Sequence, residues 1–259
     1  KRKILITGAT SGIGFEATKK FLNNGHDVIA LCRNREREKQ MKENLEKEIL
    51  YPDNLKDFLS SYIVDLSNLR SINQFTNQIH NECKFIDSMV LNAGLQYTGV
   101  KEPRWSSDGI ELTFAVNHLS HYYLAVKLFA LIKASKFPRI IITSSEVHNP
   151  KAPGGRIGTT SSLGNLKGLQ SGVGFSMIDG NPSFNADKAY KDSKLCNILF
   201  GRELYRRLNI ENRNIPVLTW APGLVIPRTN DGFFRYSRKQ NQIGTRIFAL
   251  IARDLLNIT

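Results

Sequence analysis

The chain has 259 residues, 41% of them hydrophobic, and a formal net charge of +13 from 36 basic and 23 acidic side chains. That length and content suit one sizeable core. Three scattered cysteines, Cys32, Cys83 and Cys196, exclude a disulfide framework, and no apolar run reaches the roughly 18 residues that span a bilayer.

Lys3-Ile4-Leu5-Ile6-Thr7 is a short apolar run suited to a buried parallel strand. It leads directly into Gly8-Ala9-Thr10-Ser11-Gly12-Ile13-Gly14 and then a helical pattern. Strand, glycine turn and helix together make a phosphate site: Gly8 permits the turn, Gly12 lets backbone approach a diphosphate, Gly14 allows close packing, and the helix start offers N–H donors. A second strand over 27–32 ends in Cys32-Arg33-Asn34-Arg35, with no carboxylate where an NAD-selective protein binds the ribose 2′-hydroxyl. Arg33 offers a guanidinium for a 2′-phosphate instead, so the expected cofactor is NADP(H). A charged helix follows over 36–48, its mixed signs those of a solvated face, which argues against a nucleic-acid partner despite the net charge.

Further strands are expected over 60–65, 86–91, 138–144 and 215–220, alternating with helices. This is the pattern of a doubly wound α/β sheet in a single domain. His118 and His121 lie three residues apart on a helix without a matching ligand set, so no metal is expected. Tyr190 and Lys194 stand at i and i+4, one helical face. The ammonium there is expected to stabilise the phenolate and bring the tyrosine closer to working pH as a proton donor. Beyond 220, Arg228, Arg235, Arg238, Lys239 and Arg246 interleave with Phe233, Phe234, Tyr236 and Phe248, a lid or a surface-binding element.

The glycine turn and the Tyr-x-x-x-Lys pair together resemble the short-chain dehydrogenase/reductase family, over nearly the whole chain. The resemblance implies a Rossmann-type doubly wound parallel sheet over 1–259. It also implies that Asp65, with Leu66, meets the adenine, that Asn92-Ala93-Gly94 is the family's signature after the fourth strand, and that Asn117 and Ser145 complete a tetrad with Tyr190 and Lys194. Ser144 is adjacent, leaving the serine ambiguous by one residue. In that scheme Tyr190 is the general acid, Lys194 lowers its pKa and holds the nicotinamide ribose, Ser145 orients the substrate and Asn117 keeps a water in a relay to Lys194. The implied cofactor contacts are Gly8, Thr10, Ser11, Gly12, Ile13, Gly14, Arg33, Asn34, Asp65, Leu66, Asn92, Ala93, Gly94, Tyr190, Lys194, Pro222 and Gly223.

Between Ser145 and Tyr190 lies a glycine-rich insertion, 146–188, long for the family and expected to be structureless and functional. Gly164-Asn165-Leu166-Lys167-Gly168-Leu169, Lys188-Ala189-Tyr190-Lys191-Asp192-Ser193-Lys194-Leu195-Cys196-Asn197, Lys101-Glu102-Pro103 and Asp108-Gly109-Ile110-Glu111-Leu112 resemble the light-dependent protochlorophyllide oxidoreductases within that family. Cys32 and Cys196 match two of their cysteines. Two others are absent: Leu91 stands before the Asn-Ala pair, and Leu224 follows Pro222-Gly223, where leucine has no proton to give.

The implied activity is hydride transfer to a ring double bond of a tetrapyrrole. Dark carbonyl or alcohol chemistry on a lipophilic substrate, in the manner of a retinol dehydrogenase, is the alternative, and a non-catalytic dinucleotide-binding regulator is a third. Expected partners are a small lipophilic or tetrapyrrole substrate, with no nucleic acid, in a monomer or homodimer. The expected location is cytoplasmic, at most peripheral to a membrane, with 224–259 a lid or substrate segment whose basic, aromatic stretch from Arg228 to Arg253 suits an anionic membrane face, a carboxylate-bearing substrate or an amphipathic helix packed on the sheet. Lys1 is not a natural start, and the further strand that usually closes the sheet is expected to be missing after Thr259.

Overall fold

A computed structural model of the chain describes residues 1–225 apart from Thr98, Asn212 and Leu224. Six strands, β1 (Lys3–Thr7), β2 (Asp27–Cys32), β3 (Leu59–Ile63), β4 (Ser88–Leu91), β5 (Arg139–Thr143) and β6 (Val217–Trp220), form one sheet in the order 3-2-1-4-5-6. β1 pairs in parallel with β2 and β4, β2 with β3, and β4 with β5. The strand order reverses between β1 and β4, the place where open α/β sheets bind ligands beyond their carboxyl ends. The expected doubly wound sheet is present.

The chain divides into two compact units. The first, Lys1–Ala93, Leu119–Thr143 and Asn197–Thr219, holds the sheet up to Thr219. Its strands are apolar on both faces. Leu5, Ile29, Leu31, Met89, Leu91, Ile140 and Ile142 join one cluster, with helices α3 (Leu69–Glu82) and α4 (Ser120–Lys127) supplying Ile72, Phe75, Ile79 and Leu124. The alternating residues Ile4, Ile6, Val28, Ala30, Cys32 and Val90 join another, faced by Phe15 and Leu22 of α1 (Gly12–Asn23) and by Met41 and Leu45 of α2 (Arg35–Glu48). Period-two alternation between two apolar layers is why these strands look uniformly hydrophobic in sequence.

Strand ends differ from expectation for identifiable reasons. β4 begins at Ser88 because the Ile86 N–H is spent on the Leu131 carbonyl, off the ladder. β5 and β6 each begin one residue after a proline, Pro138 and Pro216, which has no N–H to donate. β3 stops at Ile63, so Asp65 stands two residues beyond it. Helix α2 starts one residue early, at Arg35, since the Asn34 side chain accepts the Arg37 N–H as its cap.

The second unit comprises Gly94–His118, Ser144–Cys196 and the chain from Trp220. One apolar cluster in it is built on Leu95, Tyr97 and Ala186, and Phe114, Phe175, Met177 and Ile178 are buried as well. The insertion is not structureless: it carries helical turns at Glu146–His148, Pro153–Arg156 and Lys167–Gln170. The long helix α5 (Ala186–Ile210) contributes residues to each unit. Among the described residues no helix is long and apolar enough to cross a membrane.

Candidate active site

The glycine turn belongs to the first unit. β1 hands over at Thr7 to Gly8, at φ +70°, and Gly12 follows at φ +55° with nothing within 4 Å of where a Cβ would stand. A Cβ on Gly14 would meet the Gly8 carbonyl oxygen at 2.1 Å and Asn92 Nδ2 at 2.6 Å, so only glycine lets α1 pack this close to the turn. Ser11 caps α1 in extended conformation without a side-chain bond, leaving its hydroxyl out of the first helical turn. Open space over Gly12 and a helix start with this cap suit a diphosphate, so the residues present fit a dinucleotide. Thr10 and Ser11 line the same turn, half-buried, with Ile13 beside them.

Thr7 organises the floor of this turn. Its hydroxyl accepts the N–H groups of Asn92 at 2.8 Å and Ala93 at 2.9 Å, and lies 3.0 Å from His121 Nε2. The Asn92 amide donates to the Thr7 carbonyl at 3.2 Å, and its oxygen accepts the Thr143 hydroxyl at 3.4 Å. Asn92 therefore braces β1 against β4. Asp65 folds back on its own turn, accepting the N–H and hydroxyl of Ser67 at 2.9 and 2.7 Å, and Leu66 packs on the apolar cluster. Arg33 is exposed just past β2.

The tetrad residues lie together in the second unit. The Tyr190 hydroxyl is hydrogen-bonded to the Ser145 side chain. Ser144 is engaged elsewhere, its hydroxyl donating to the Lys194 carbonyl at 2.9 Å, so the adjacent-serine ambiguity resolves to Ser145. Lys194 Nζ sits 5.6 Å from the centroid of the Tyr190 ring. A Cβ on Gly94 would stand 3.5 Å from both Lys194 Nζ and Asn117 Oδ1, so both side chains border this glycine. Pro222 and Gly223 are described, Gly223 at φ +75°. Leu224, Arg228, Arg235 and the expected lid 224–259, Val225 apart, lie outside the described residues.

One expectation about these groups needs correction. Tyr190 is not brought down toward neutrality by Lys194: burial pushes its phenol up, opposed by the bond to Ser145, and burial pulls Lys194 down to about 8. Desolvation outweighs the expected ammonium effect in the protein by itself. The Asn117 side chain is braced by its neighbours. Its oxygen accepts the Leu95 N–H at 2.8 Å, and its amide donates to the Leu95 carbonyl and the Ser193 hydroxyl, both at 3.0 Å. Asn117 also lies in a π-helical turn, Ala115–Leu119, a departure common at functional sites.

Sequence reasoning missed the residues that hold this arrangement. The Ser193 hydroxyl donates to the Tyr190 carbonyl at 2.6 Å while receiving Asn117. The Glu111 carboxylate accepts the Thr113 and Phe114 N–H groups and the Tyr97 hydroxyl, each at 2.8 Å, capping the turn that leads to Asn117. Burial raises the Glu111 pKa. The available signal was that every position from Tyr190 to Lys194 except the tyrosine itself is polar, which a helix permits in an interior only when partners wait on all sides. Of the two singled-out histidines, His118 packs its ring 5.3 Å from Phe114, and His121 is buried beside Thr7. All three cysteines are buried, with the Cys32 and Cys196 thiols pushed up to about 12 by desolvation.

A family model described as short chain dehydrogenase matches residues 2–168. Protochlorophyllide reductase A from Oryza sativa is 33% identical over 242 residues, 90% of this chain, which spans 59% of that relative's length. Protochlorophyllide reductase from Avena sativa is likewise 33% identical over 90% of this chain and 73% of its own. Among solved structures, a short-chain dehydrogenase from Sphingobium yanoikuyae in complex with NADPH superposes with a TM-score of 0.60 at 18% identity, over 87% of this chain and 72% of that one. The sheet order, the glycine turn, the Ser145–Tyr190 bond and these matches agree: the chain belongs to the short-chain dehydrogenase family.

Proposed function

We propose that the protein is an NADP(H)-dependent reductase acting on a protochlorophyllide-like tetrapyrrole, with Tyr190 as the proton donor. The observation that carries this reading is the buried Tyr190 hydroxyl bonded to Ser145, with Lys194 Nζ over the same ring. The relatives' names and the 33% identity across 90% of the chain support the substrate class. NADPH, when bound, supplies the hydride. The glycine turn offers N–H donors to its diphosphate, and Arg33 offers a guanidinium to its 2′-phosphate.

Tyr190 holds its proton at neutral pH, since burial keeps the phenol protonated. An acid must be charged with its proton before transfer, and this environment ensures that it is. Negative charge appears on the phenolate as the proton leaves. The Ser145 hydroxyl stabilises that charge by hydrogen bonding, and the Lys194 ammonium stabilises it through space. The cyclic constraint on Asn117 fixes Leu95 and Ser193, and through Ser193 the backbone of Tyr190.

A second reading, dark reduction of a lipophilic carbonyl compound, is favoured by the Ser145–Tyr190 pair itself. Two hydroxyls converging on one point suit a developing alkoxide, whereas reduction of a ring double bond forms none. Incubating the protein with NADPH and protochlorophyllide, in darkness and under illumination, separates the readings. Loss of the pigment's absorption band only in the light supports photoreduction. Failure to bind micromolar pigment, alongside turnover of ketones or aldehydes, promotes the carbonyl reading, and NADPH binding with no turnover of either class would leave a dinucleotide-binding regulator.

A further inference from the structure

The sheet that serves as a platform for the glycine turn has a second end. Strands β1 to β5 run in one direction, so all five begin at the end opposite that turn. β6 begins there too, beside β5, where the Ile140 N–H donates to the Pro216 carbonyl at 2.9 Å. A helix that connects parallel strands must return the chain to where the next strand starts, so the helix-to-strand segments collect at this amino end. Four of them carry exposed large apolar side chains. Leu50 and Tyr51, after α2, are 68% and 64% exposed; Phe85, after α3, is 40%; Phe137, before β5, is 50%; and Ile210, closing α5, is 68%.

Cations stand among these side chains. The Arg2 guanidinium lies 3.3 Å from the centroid of the Phe137 ring, and the Lys3 ammonium 5.4 Å from that of Phe85. Lys84 and Lys136 directly precede the two rings, and Lys133 and Arg139 flank Phe137; all four are exposed and form no ion pair among the described residues. The acids here are committed. Asp27 pairs with Lys1 at 2.9 Å, Glu211 pairs with Arg213, and Asp87 is buried, accepting the Lys3 N–H at 2.7 Å and the Ser135 hydroxyl. Only the segment after α2 departs from this pattern, with Asp53 and Asp57 against Lys56.

Exposed hydrophobes and unpaired cations on the same segments call for a partner that is apolar and anionic at once. A bilayer with anionic lipid is both: apolar side chains enter the boundary between headgroups and acyl chains while the ammonium groups stay at the phosphates. Nucleic acid offers phosphates and bases for rings to stack on, but gives Leu50 and Ile210 nothing to enter. Four separate segments also make a broad end, which suits a flat partner better than a peptide. We propose that the amino end of the sheet is a docking surface for an anionic lipid bilayer, with Phe85 and Phe137 entering it and Lys84, Lys133, Lys136 and Arg139 at the headgroups. This surface belongs to the first unit, does not involve 224–259, and does not rest on the reductase reading. The glycine turn lies at the other end of the same strands, so docking does not cover it.

Flotation of the full chain with lipid vesicles tests the proposal. Binding to phosphatidylcholine vesicles that contain phosphatidylglycerol should exceed binding to phosphatidylcholine alone by about tenfold or more, and should weaken as salt rises. Lys84→Gln combined with Lys136→Gln should lower the partition coefficient about 25-fold, at about fivefold per cation. Phe85→Ser combined with Phe137→Ser should lower it by about tenfold while keeping its salt dependence. Circular dichroism and NADPH affinity should be unchanged in both pairs, and Phe137→Ser alone supplies the apolar readout if the serine pair does not fold. Absence of binding to the anionic vesicles, equal binding to neutral and anionic ones, or binding undiminished in both pairs, which would put the contact elsewhere in the chain, would overturn the proposal. So would retention on duplex DNA or single-stranded RNA without binding to vesicles.

Discussion

The first unit is built on two large apolar layers, and the second buries more charged side chains among its described residues. Around the sheet, strand residues alternate between two apolar layers, and each layer is completed by helices that contribute the same kind of side chain. In the unit that carries the tetrad, Phe114, Phe175, Met177 and Ile178 are buried, but so are Glu111, Asn117, Lys188, Lys191, Asp192, Ser193 and Lys194. Apolar packing is non-directional and tolerates exchange of one hydrophobe for another. Buried polar groups tolerate little, because each one left without its partner retains the full cost of its desolvation. The contrast suits the proposed reaction, whose groups need fixed angles.

The sharpest test of that contrast is Tyr190→Phe. It removes one oxygen from the polar unit and should lower turnover about 10³-fold, while NADPH affinity, measured by calorimetry, stays within twofold. Full turnover by this variant would mean that the proton comes from elsewhere. Next is Asp192→Ala, which strips the buried Lys188 of one carboxylate and should cost about 3 kcal/mol in urea unfolding. The nearest volume-conserving changes are Asp192→Asn in that unit, which keeps the shape and removes the charge, and Met89→Leu in the apolar unit, which should cost less than about 1.5 kcal/mol and less than the asparagine change. Comparable losses from the two would erase the distinction.

Lys194 tests the contrast through pH. Burial lowers its pKa from 10.5 to about 8 in the folded chain, so between these values the unfolded chain binds more protons and stability rises with pH. Below pH 8 the ammonium is present in both states and the whole penalty is felt. Lys194→Met should therefore be more stable than the unmutated protein at pH 7, by about 3 kcal/mol, and the two should converge as pH passes 10.5. A constant difference from pH 7 to 11 would show that charge burial is not the cause. The smallest expected effect belongs to the platform's rim. Arg33→Ala should reduce a preference for NADPH over NADH by about tenfold, or about 1.4 kcal/mol, with equal affinities in the unmutated protein counting against the assignment.

Legibility in the sequence follows the same division. The strands of the platform could be read because burial on both faces produces runs such as Ile4-Leu5-Ile6 and Met89-Val90-Leu91, and the glycine turn because backbone constraints select one residue type. Tyr190 and Lys194 could be read because a single helix sets their spacing. The partners of Lys191 could not, since they are backbone carbonyls at Gly155, Ile157 and Thr159, and every residue presents that same group to a sequence reader. The sign of the Tyr190 shift was misjudged for a related reason. Spacing reports which charge is near, but the degree of desolvation depends on everything packed around it.

Thr7 carries a consequence for spectroscopy. A hydroxyl has two lone pairs and one proton, and both lone pairs are taken by the Asn92 and Ala93 N–H groups. The proton has two acceptors in reach, His121 Nε2 at 3.0 Å and the Val90 carbonyl at 3.5 Å, and the tautomer of His121 decides which receives it. An accepting Nε2 has no hydrogen and goes with the Nδ1–H form, the less common tautomer of a free histidine side chain. Nitrogen-15 NMR distinguishes the two ring nitrogens directly. His121 thus offers a built-in reporter on the floor of the glycine turn, one whose signal should switch character if the Asn92 and Ala93 amides ever let go.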